Sequence, residues 1–294
     1  MKHLMMPAAA LAFLLSSACY GAPEVETGYV DVEGARLYYE AAGEGEPVVL
    51  IHGGFLDRRM WDGQFEAFAV EHRVIRYDVR AHGLSRTDSM AFADHEDLHD
   101  LLAALDVPGA TLIGLSMGGQ IAIDFALTYP EMTRALVLVG PGLSGYPFDS
   151  ESIEEYIGAL TSAFESGGLA AASEIFTRYW CDGPEREPSE VDPAVRGKVL
   201  AMLEGSEQRW RYWQLSQQLD PPAFGRLAEI EVPTLAIVGS IDMPDVLRIV
   251  DLVAEQVPGA RKVVIPDVAH MVNMEKPQEF NDIALEFLGA RTVP

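Results

Sequence analysis

The stretch that most constrains this chain is Ala110 to Gln120, read Ala-Thr-Leu-Ile-Gly-Leu-Ser-Met-Gly-Gly-Gln. Thr111 to Leu115 is a short apolar run of strand composition, and Ile121 to Leu127 continues with helical spacing. Between them, Gly114-Leu115-Ser116-Met117-Gly118 is a G-x-S-x-G turn in a strand-turn-helix context. Such a turn forces its serine into strained backbone geometry, so the residues two before and two after it must be small. Gly114 and Gly118 meet that need, and Gly119 lets the helix pack tightly on the strand. The helix N-terminus then lies under Ser116, where free N–H groups favour negative charge. A serine in a glycine-rich loop is common by chance. The strand before and the helix after make Ser116 the nucleophile candidate.

The rest of the chain supplies the sheet this turn needs. Tyr29–Val32 and Arg36–Glu40 flank Glu33-Gly34 and read as an N-terminal antiparallel hairpin. Val48–Ile51 is wholly apolar, as a buried parallel strand is, and Arg73–Tyr77 follows after a helical Met60–Phe68. Ala91–Leu105 is an amphipathic helix with Leu98, Leu101, Leu102 and Leu105 inward. Arg134–Gly140, Thr234–Val238 and Lys262–Ile265 are further strands; Pro244–Gln256 and Pro277–Leu288 are helices. Strand and helix in alternation imply a parallel sheet with right-handed crossovers.

The alternation stops at Pro141. Residues 142–220 hold no apolar β run, only helix-like segments with Tyr156, Phe164, Phe176, Tyr179, Trp180, Trp210, Tyr212 and Trp213. The expected organisation is an α/β core formed by residues 27–141 and 221–292, with residues 142–220 as an inserted helical cap. The cap aromatics are expected to pack the cap's own core more than to touch substrate.

Composition bounds the partners. Net charge is −24, from 21 Lys and Arg against 45 Asp and Glu, which argues against nucleic acid or an anionic membrane surface. Met1-Lys2-His3, the charge-free apolar Leu4–Leu15 and the small Ser16-Ser17-Ala18 have the layout of a secretory signal peptide over residues 1–18. Cys19, directly after, resembles a bacterial lipoprotein site, although Ser16 stands where that pattern usually has Leu. The expectation is an exported protein, either lipidated at Cys19 or simply cleaved nearby, with a lipid anchor at Cys19 as its one route to a membrane. Cys181 then stands alone within the fold, so no intramolecular disulfide is expected.

A serine hydroxyl needs a base, and that base needs a third group to orient it. Open α/β sheets gather such groups at the C-terminal ends of their strands. Asp242 follows one strand in Gly239-Ser240-Ile241-Asp242, and His270 follows the next in Asp267-Val268-Ala269-His270. The order Ser116, Asp242, His270 is that of the α/β-hydrolases. Two other carboxylates compete: Asp245 reads as a helix-start or surface group, and Asp267 as a loop-shaping one. Pro141-Gly142 offers no acid after the strand that precedes the cap.

With these pieces in order, the chain resembles the α/β-hydrolase superfamily. It is most similar to the capped branch of lactonase-, esterase- and C–C-hydrolase-like enzymes. The matching motifs are His52-Gly53-Gly54-Phe55, Asp78-Val79-Arg80-Ala81-His82-Gly83, the Ser116 turn, Gly239-Ser240-Ile241-Asp242 and Ala269-His270-Met271. Met60-Trp61-Asp62 and the Asp78 turn resemble 3-oxoadipate enol-lactonases. The resemblance implies a mostly parallel eight-stranded sheet with helices on both faces. It also implies an oxyanion hole from the N–H of Met117 and that of Gly54, with Phe55 the alternative second donor. Phe55, Met117 and Met271 would line an apolar acyl pocket. Departures are Ala81 where the family turn usually has Gly, and Leu56-Asp57 where meta-cleavage C–C hydrolases usually show a second glycine-proline element.

The reading that follows is a cofactor-independent serine hydrolase acting on a small ester or lactone through an acyl-enzyme. C–C bond hydrolysis and perhydrolase chemistry on the same three residues are alternatives, and a non-catalytic binding protein is the alternative of another class. His95-Glu96-Asp97-Leu98-His99 matches the H-E-x-x-H zinc signature on a helix. Its leucine stripe is already used in docking, and no downstream motif supplies a third ligand, so no metal is expected. His52 reads as a support for its loop, and Asp78 and Arg80 as a structural polar loop pair.

Overall fold

The computed structural model describes residues 24–148 and 150–289; the expected leader, residues 1–18, and Cys19 lie outside them. The strands are β1 (Val25–Val32), β2 (Ala35–Ala42), β3 (Pro47–Ile51), β4 (Arg73–Tyr77), β5 (Arg86–Thr87), β6 (Ala110–Leu115), β7 (Thr133–Val139), β8 (Thr234–Gly239) and β9 (Arg261–Ile265). Eight of them lie side by side in the order β1-β2-β4-β3-β6-β7-β8-β9. The two-residue β5 pairs antiparallel with β2 beside that path, an addition too short to leave a sequence pattern. Pairing is antiparallel from β1 through β4 and parallel from there to β9. This is the mostly parallel α/β sheet expected.

The helices are α1 (Asp62–Phe68), α2 (Asp94–Ala104), α3 (Met117–Thr128), α4 (Glu151–Phe176), α5 (Pro193–Leu203), α6 (Glu207–Tyr212), α7 (Pro244–Gln256), α8 (Val272–Glu275) and α9 (Pro277–Gly289). Alternate residues of each inner strand feed opposite faces, as a period of two requires. Val49 and Ile51 join Leu98, Ile121, Phe125 and Ile249 of α2, α3 and α7 in one core. Val48 and Leu50 join Phe65, Phe68, Phe280 and Phe287 of α1 and α9 in the other. Each fully buried side chain of this size contributes about 1.5–3 kcal/mol.

Two features of the topology position the site. Strand β3 has β4 on one side and β6 on the other, so the chain reverses its winding there. Ligands of open α/β sheets bind in the crevice at such a reversal, beyond the strand C-termini. Those ends carry His52–Phe55 after β3 and Ser116 after β6. Second, α4, α5 and α6 all fall between β7 and β8, with no strand among them. α4 breaks at Gly168, where φ is 66° and ψ −155°. Two backbone hydrogen bonds, Phe92 N to Leu215 O (3.1 Å) and Gln217 N to Phe92 O (2.7 Å), stitch the end of this helical insertion to the loop before α2.

Candidate active site

Ser116 has φ 56° and ψ −115°, a conformation that L residues rarely adopt and that costs about 1–3 kcal/mol. Its surroundings hold it there. Ser116 N donates to Val139 O at 3.0 Å, and Ser116 O accepts from Gly142 N (2.8 Å) and Gln120 N (3.0 Å). The flanking glycines are steric necessities. A methyl group on Gly114 would lie 2.1 Å from Gly118 O, and one on Gly118 would lie 2.2 Å from Ile51 O.

The structure brings Asp242 and His270 together. His270 Nδ1 lies 2.8 Å from Asp242 Oδ2, both side chains are buried, and Asp242 Oδ1 accepts from Met243 N at 2.7 Å. With its proton directed at the carboxylate, Nδ1 leaves Nε2 as the free lone pair. Nε2 is buried and meets no protein partner among the described residues. The Trp180 ring covers this imidazole with centroids 4.6 Å apart. Asp245 is not the surface group the sequence suggests. Buried in the first turn of α7, it takes hydrogen bonds from Ser150 and Tyr146 and so ties down the start of the insertion. Asp267 is an exposed loop residue with φ 62° whose N–H donates to Ser240 Oγ.

Ser116 and His270 open onto one cavity of about 200 Å³. Phe55 and Met271 line it as expected, beside Gly53 and Gly54, whereas Met117, expected there too, is not one of its lining residues. Tyr156, Phe176 and Trp180 of the insertion also face it, while packing on one another with centroids 5.5–6.5 Å apart. These aromatics, expected to pack the insertion's own core more than to touch substrate, do both. Phe176 and Trp180, four residues apart on one helical face, were the available signal.

Gly54 and Met117 are neighbours, since a methyl group on Gly54 would sit 3.7 Å from Met117 Cβ. Met117 N–H, at the first position of α3, precedes the helical hydrogen-bond ladder. Gly54 N–H meets no acceptor among the described residues. Phe55 N–H, by contrast, is spent on His82 Nε2 at 3.1 Å. His52 Nε2 likewise accepts from Val79 N at 2.9 Å, and the two imidazoles meet edge to face at 4.8 Å. Nδ1 of each lies within 2.9 Å of a carbonyl, so both rings fit the neutral, Nδ1-protonated form. Burial pushes His52 below the usual imidazole range and His82 well below it. Both act as neutral struts of the loop that carries Gly54.

The remaining motifs resolve as supports. Asp78 accepts from Arg58 N–H and guanidinium and from Leu84 N–H, and Arg80 grips Asp97 through two bonds of 2.6–2.7 Å. Asp78 and Arg80 therefore serve different partners, not each other. In the H-E-x-x-H stretch, His95 pairs with Glu96 and His99 stacks on Tyr129 at 4.4 Å. Among the described residues no three His, Cys, Asp or Glu side chains gather within metal-ligating reach.

Comparison with known proteins places the fold. A family model described as the alpha/beta hydrolase fold matches residues 46–277. The 2-hydroxy-6-oxononadienedioate/2-hydroxy-6-oxononatrienedioate hydrolase of Comamonas testosteroni is 27% identical over 272 residues, covering 86% of this chain and 91% of that protein. A solved thermophilic esterase from Thermogutta terrifontis is 27% identical with a TM-score of 0.76, over 90% of this chain and 98% of that one. The enol-lactonase from Burkholderia xenovorans shares the fold at 24% identity, with a TM-score of 0.76 over 89% of this chain and 100% of that one. The resemblance carried by the five motifs is thus borne out: the chain is a hydrolase that belongs to the α/β-hydrolase fold family.

Proposed function

We propose that the protein is a serine hydrolase that cleaves a small carboxylic ester or lactone through an acyl-enzyme. His270 Nε2 takes the Ser116 hydroxyl proton as Oγ attacks the acyl carbonyl, and Asp242 holds the imidazolium that forms. The N–H groups of Met117 and Gly54 receive the oxyanion, each such donor being worth about 3 kcal/mol. Collapse expels the alkoxide, which takes the proton from His270. Water then attacks the acyl-enzyme with His270 again as base and releases the acid. In a lactone the leaving oxygen stays tethered, so the product is a hydroxy acid.

The observation that carries this reading is the His270 imidazole, anchored through Nδ1 on Asp242, with an unpartnered Nε2 beside the cavity that Ser116 opens into. Phe55, Trp180 and the other apolar walls favour a short acyl group. The occupied Phe55 N–H favours Gly54 as second donor. The test is labelling with a fluorophosphonate, followed by p-nitrophenyl esters of increasing chain length and a lactone series. Wild type takes the label and Ser116→Ala does not; labelling that persists in the alanine variant removes Ser116 from its role. A stably folded protein that turns over no acyl substrate is a binding protein instead.

A second reading, C–C hydrolysis on the same three residues, draws on the activity for which the Comamonas relative is named. Turnover of a 2-hydroxy-6-oxo-dienoate at rates above those for esters would select it. Export, with either a lipid anchor at Cys19 or simple cleavage nearby, remains the proposal made from residues 1–19.

A further inference from the structure

Arg209 stands in α6 of the insertion and is only 9% exposed. Its Nε and Nη1 are buried without a hydrogen-bond partner among the described residues. Its single polar contact is Nη2 against the Met117 thioether, at 3.4 Å. Sulfur of that kind is a weak acceptor. The other arginines of the insertion are either satisfied, Arg178 on Gly183 O, Arg186 on Glu275 and Arg196 on Asp182, or, like Arg211, exposed to water. A guanidinium taken out of water without an anion is a costly arrangement, and proteins seldom keep one unless something arrives to pair with it.

The place where it is kept matters. Met117 follows Ser116 in sequence and adjoins Gly54. The next residue, Trp210, lays its ring on Phe55 with centroids 4.4 Å apart, and its Nε1 is also buried and unpartnered. Three unmatched donor nitrogens from one short helix therefore gather beside Met117 and Phe55, next to the cavity wall that Gly54 and Phe55 form. The Met117 side chain touches both the guanidinium and Gly54 of the cavity wall, and it is unbranched and free to change rotamer.

We propose that Arg209 is a specificity residue for an anionic group on the substrate, a carboxylate carried on the acyl chain beyond the reacting carbonyl. When the Met117 thioether gives way, the guanidinium receives that carboxylate through its planar pair of donors. This inference rests on the acyl-transfer reading and narrows its substrate class to half-esters of dicarboxylic acids, or lactones bearing a carboxylate.

The rival partner is Asp94, the carboxylate whose charge Arg209 feels. Asp94 Oδ2 accepts from Ser216 Oγ at 2.7 Å, while Oδ1 is buried and unpartnered. The two side chains make no ion pair. In the rival account they merely balance each other's charge across the seam between insertion and core.

The experiment compares pairs of equal acyl chain length: monomethyl succinate, glutarate and adipate against methyl butanoate, pentanoate and hexanoate. The wild type favours at least one half-ester over its neutral counterpart. In Arg209→Met that kcat/KM ratio falls tenfold or more, mainly through KM, since a hydrogen bond to a charged group is lost. Arg209→Lys keeps the charge but not the fork and falls in between. Asp94→Asn keeps the acceptor for Ser216, removes the competing carboxylate and raises the ratio. A ratio unchanged by both Arg209→Met and Asp94→Asn, or both substrates declining in step, overturns the inference. Methyl pentanoate turnover together with Ser116 labelling reports separately on acyl transfer. A wild type that turns over the neutral esters with no preference for half-esters sinks the Arg209 inference alone; one that neither labels nor turns over any ester sinks the reading beneath it.

Discussion

Asp124 offers a stability test with a sign that ordinary intuition gets backwards. Its carboxyl is 3% exposed on α3, the helix that begins just after Ser116. Burial pushes its pKa up to about 6, despite hydrogen bonds from Ser144 and Gln120 that favour the ionised form. In the unfolded chain an Asp titrates near 3.9. The folded protein therefore binds more protons between these values, and stability is fully present below about pH 4. It declines as pH rises toward 6 and is level above that. A gap of about two units corresponds to roughly 3 kcal/mol at neutral pH. Asp124→Asn removes the charge and keeps an acceptor for Ser144 Oγ, which donates to Asp124 Oδ1 at 2.6 Å. Allowing about 1 kcal/mol for an imperfectly satisfied amide, the variant is more stable than wild type by about 2 kcal/mol at pH 8. Near pH 4 that advantage disappears. Guanidinium chloride unfolding at unit pH steps from 4 to 8, with unchanged m-values, measures it. A difference that is constant with pH, or a variant less stable at pH 8, refutes the assignment of a burial-raised carboxyl at this position.

Two further outcomes follow from the site. Asp242→Asn removes the negative charge that orients and stabilises the His270 imidazolium, and kcat for p-nitrophenyl esters drops by about 10⁴; a loss under tenfold would give the role to another carboxylate. Gly114→Ala drives a methyl group to 2.1 Å from Gly118 O, a clash of backbone against backbone that no rotamer relieves. Its cost is about 3 kcal/mol or more, read as a collapse in soluble yield or Tm; a folded, active alanine variant would contradict the packing described for this turn.

Much of this architecture was legible because the signals were local. Apolar runs such as Val48–Ile51 and Thr234–Val238 became strands, and Pro244–Gln256 became α7 with the same bounds. Ser116 sits where a strand ends and a helix begins, so its exposure and strain were written into neighbouring residues. Asp242 and His270 were found because each follows a strand in a parallel sheet, and such sheets collect strand C-termini on one edge. What stayed hidden depends on long-range packing. β5 is two residues long and exists only because β2 offers it an edge. The four-residue α8 follows His270 and carries no period. Asp245 looked like a helix cap, and its burial comes from Ser150 and Tyr146 in a distant part of the chain. Arg209 drew no notice among the other charged residues of its segment. Its isolation is visible only once its burial is set beside its missing acceptors.

Strands β7 and β8 are hydrogen-bonded neighbours, in register from Leu136 opposite Thr234 to Val139 opposite Ile237. The polypeptide leaves the sheet at one and returns at the next, so its long helical excursion begins and ends a single strand spacing apart. The closure requirement on that excursion is the same whether it is long or short, and closure entropy grows only slowly with length. Segments of different size and shape can be exchanged at this doorway while Ser116, Asp242 and His270 keep their places on the ends of β6, β8 and β9. Diversification of ligand preference in such a scaffold proceeds by changing the roof and leaving the foundations alone.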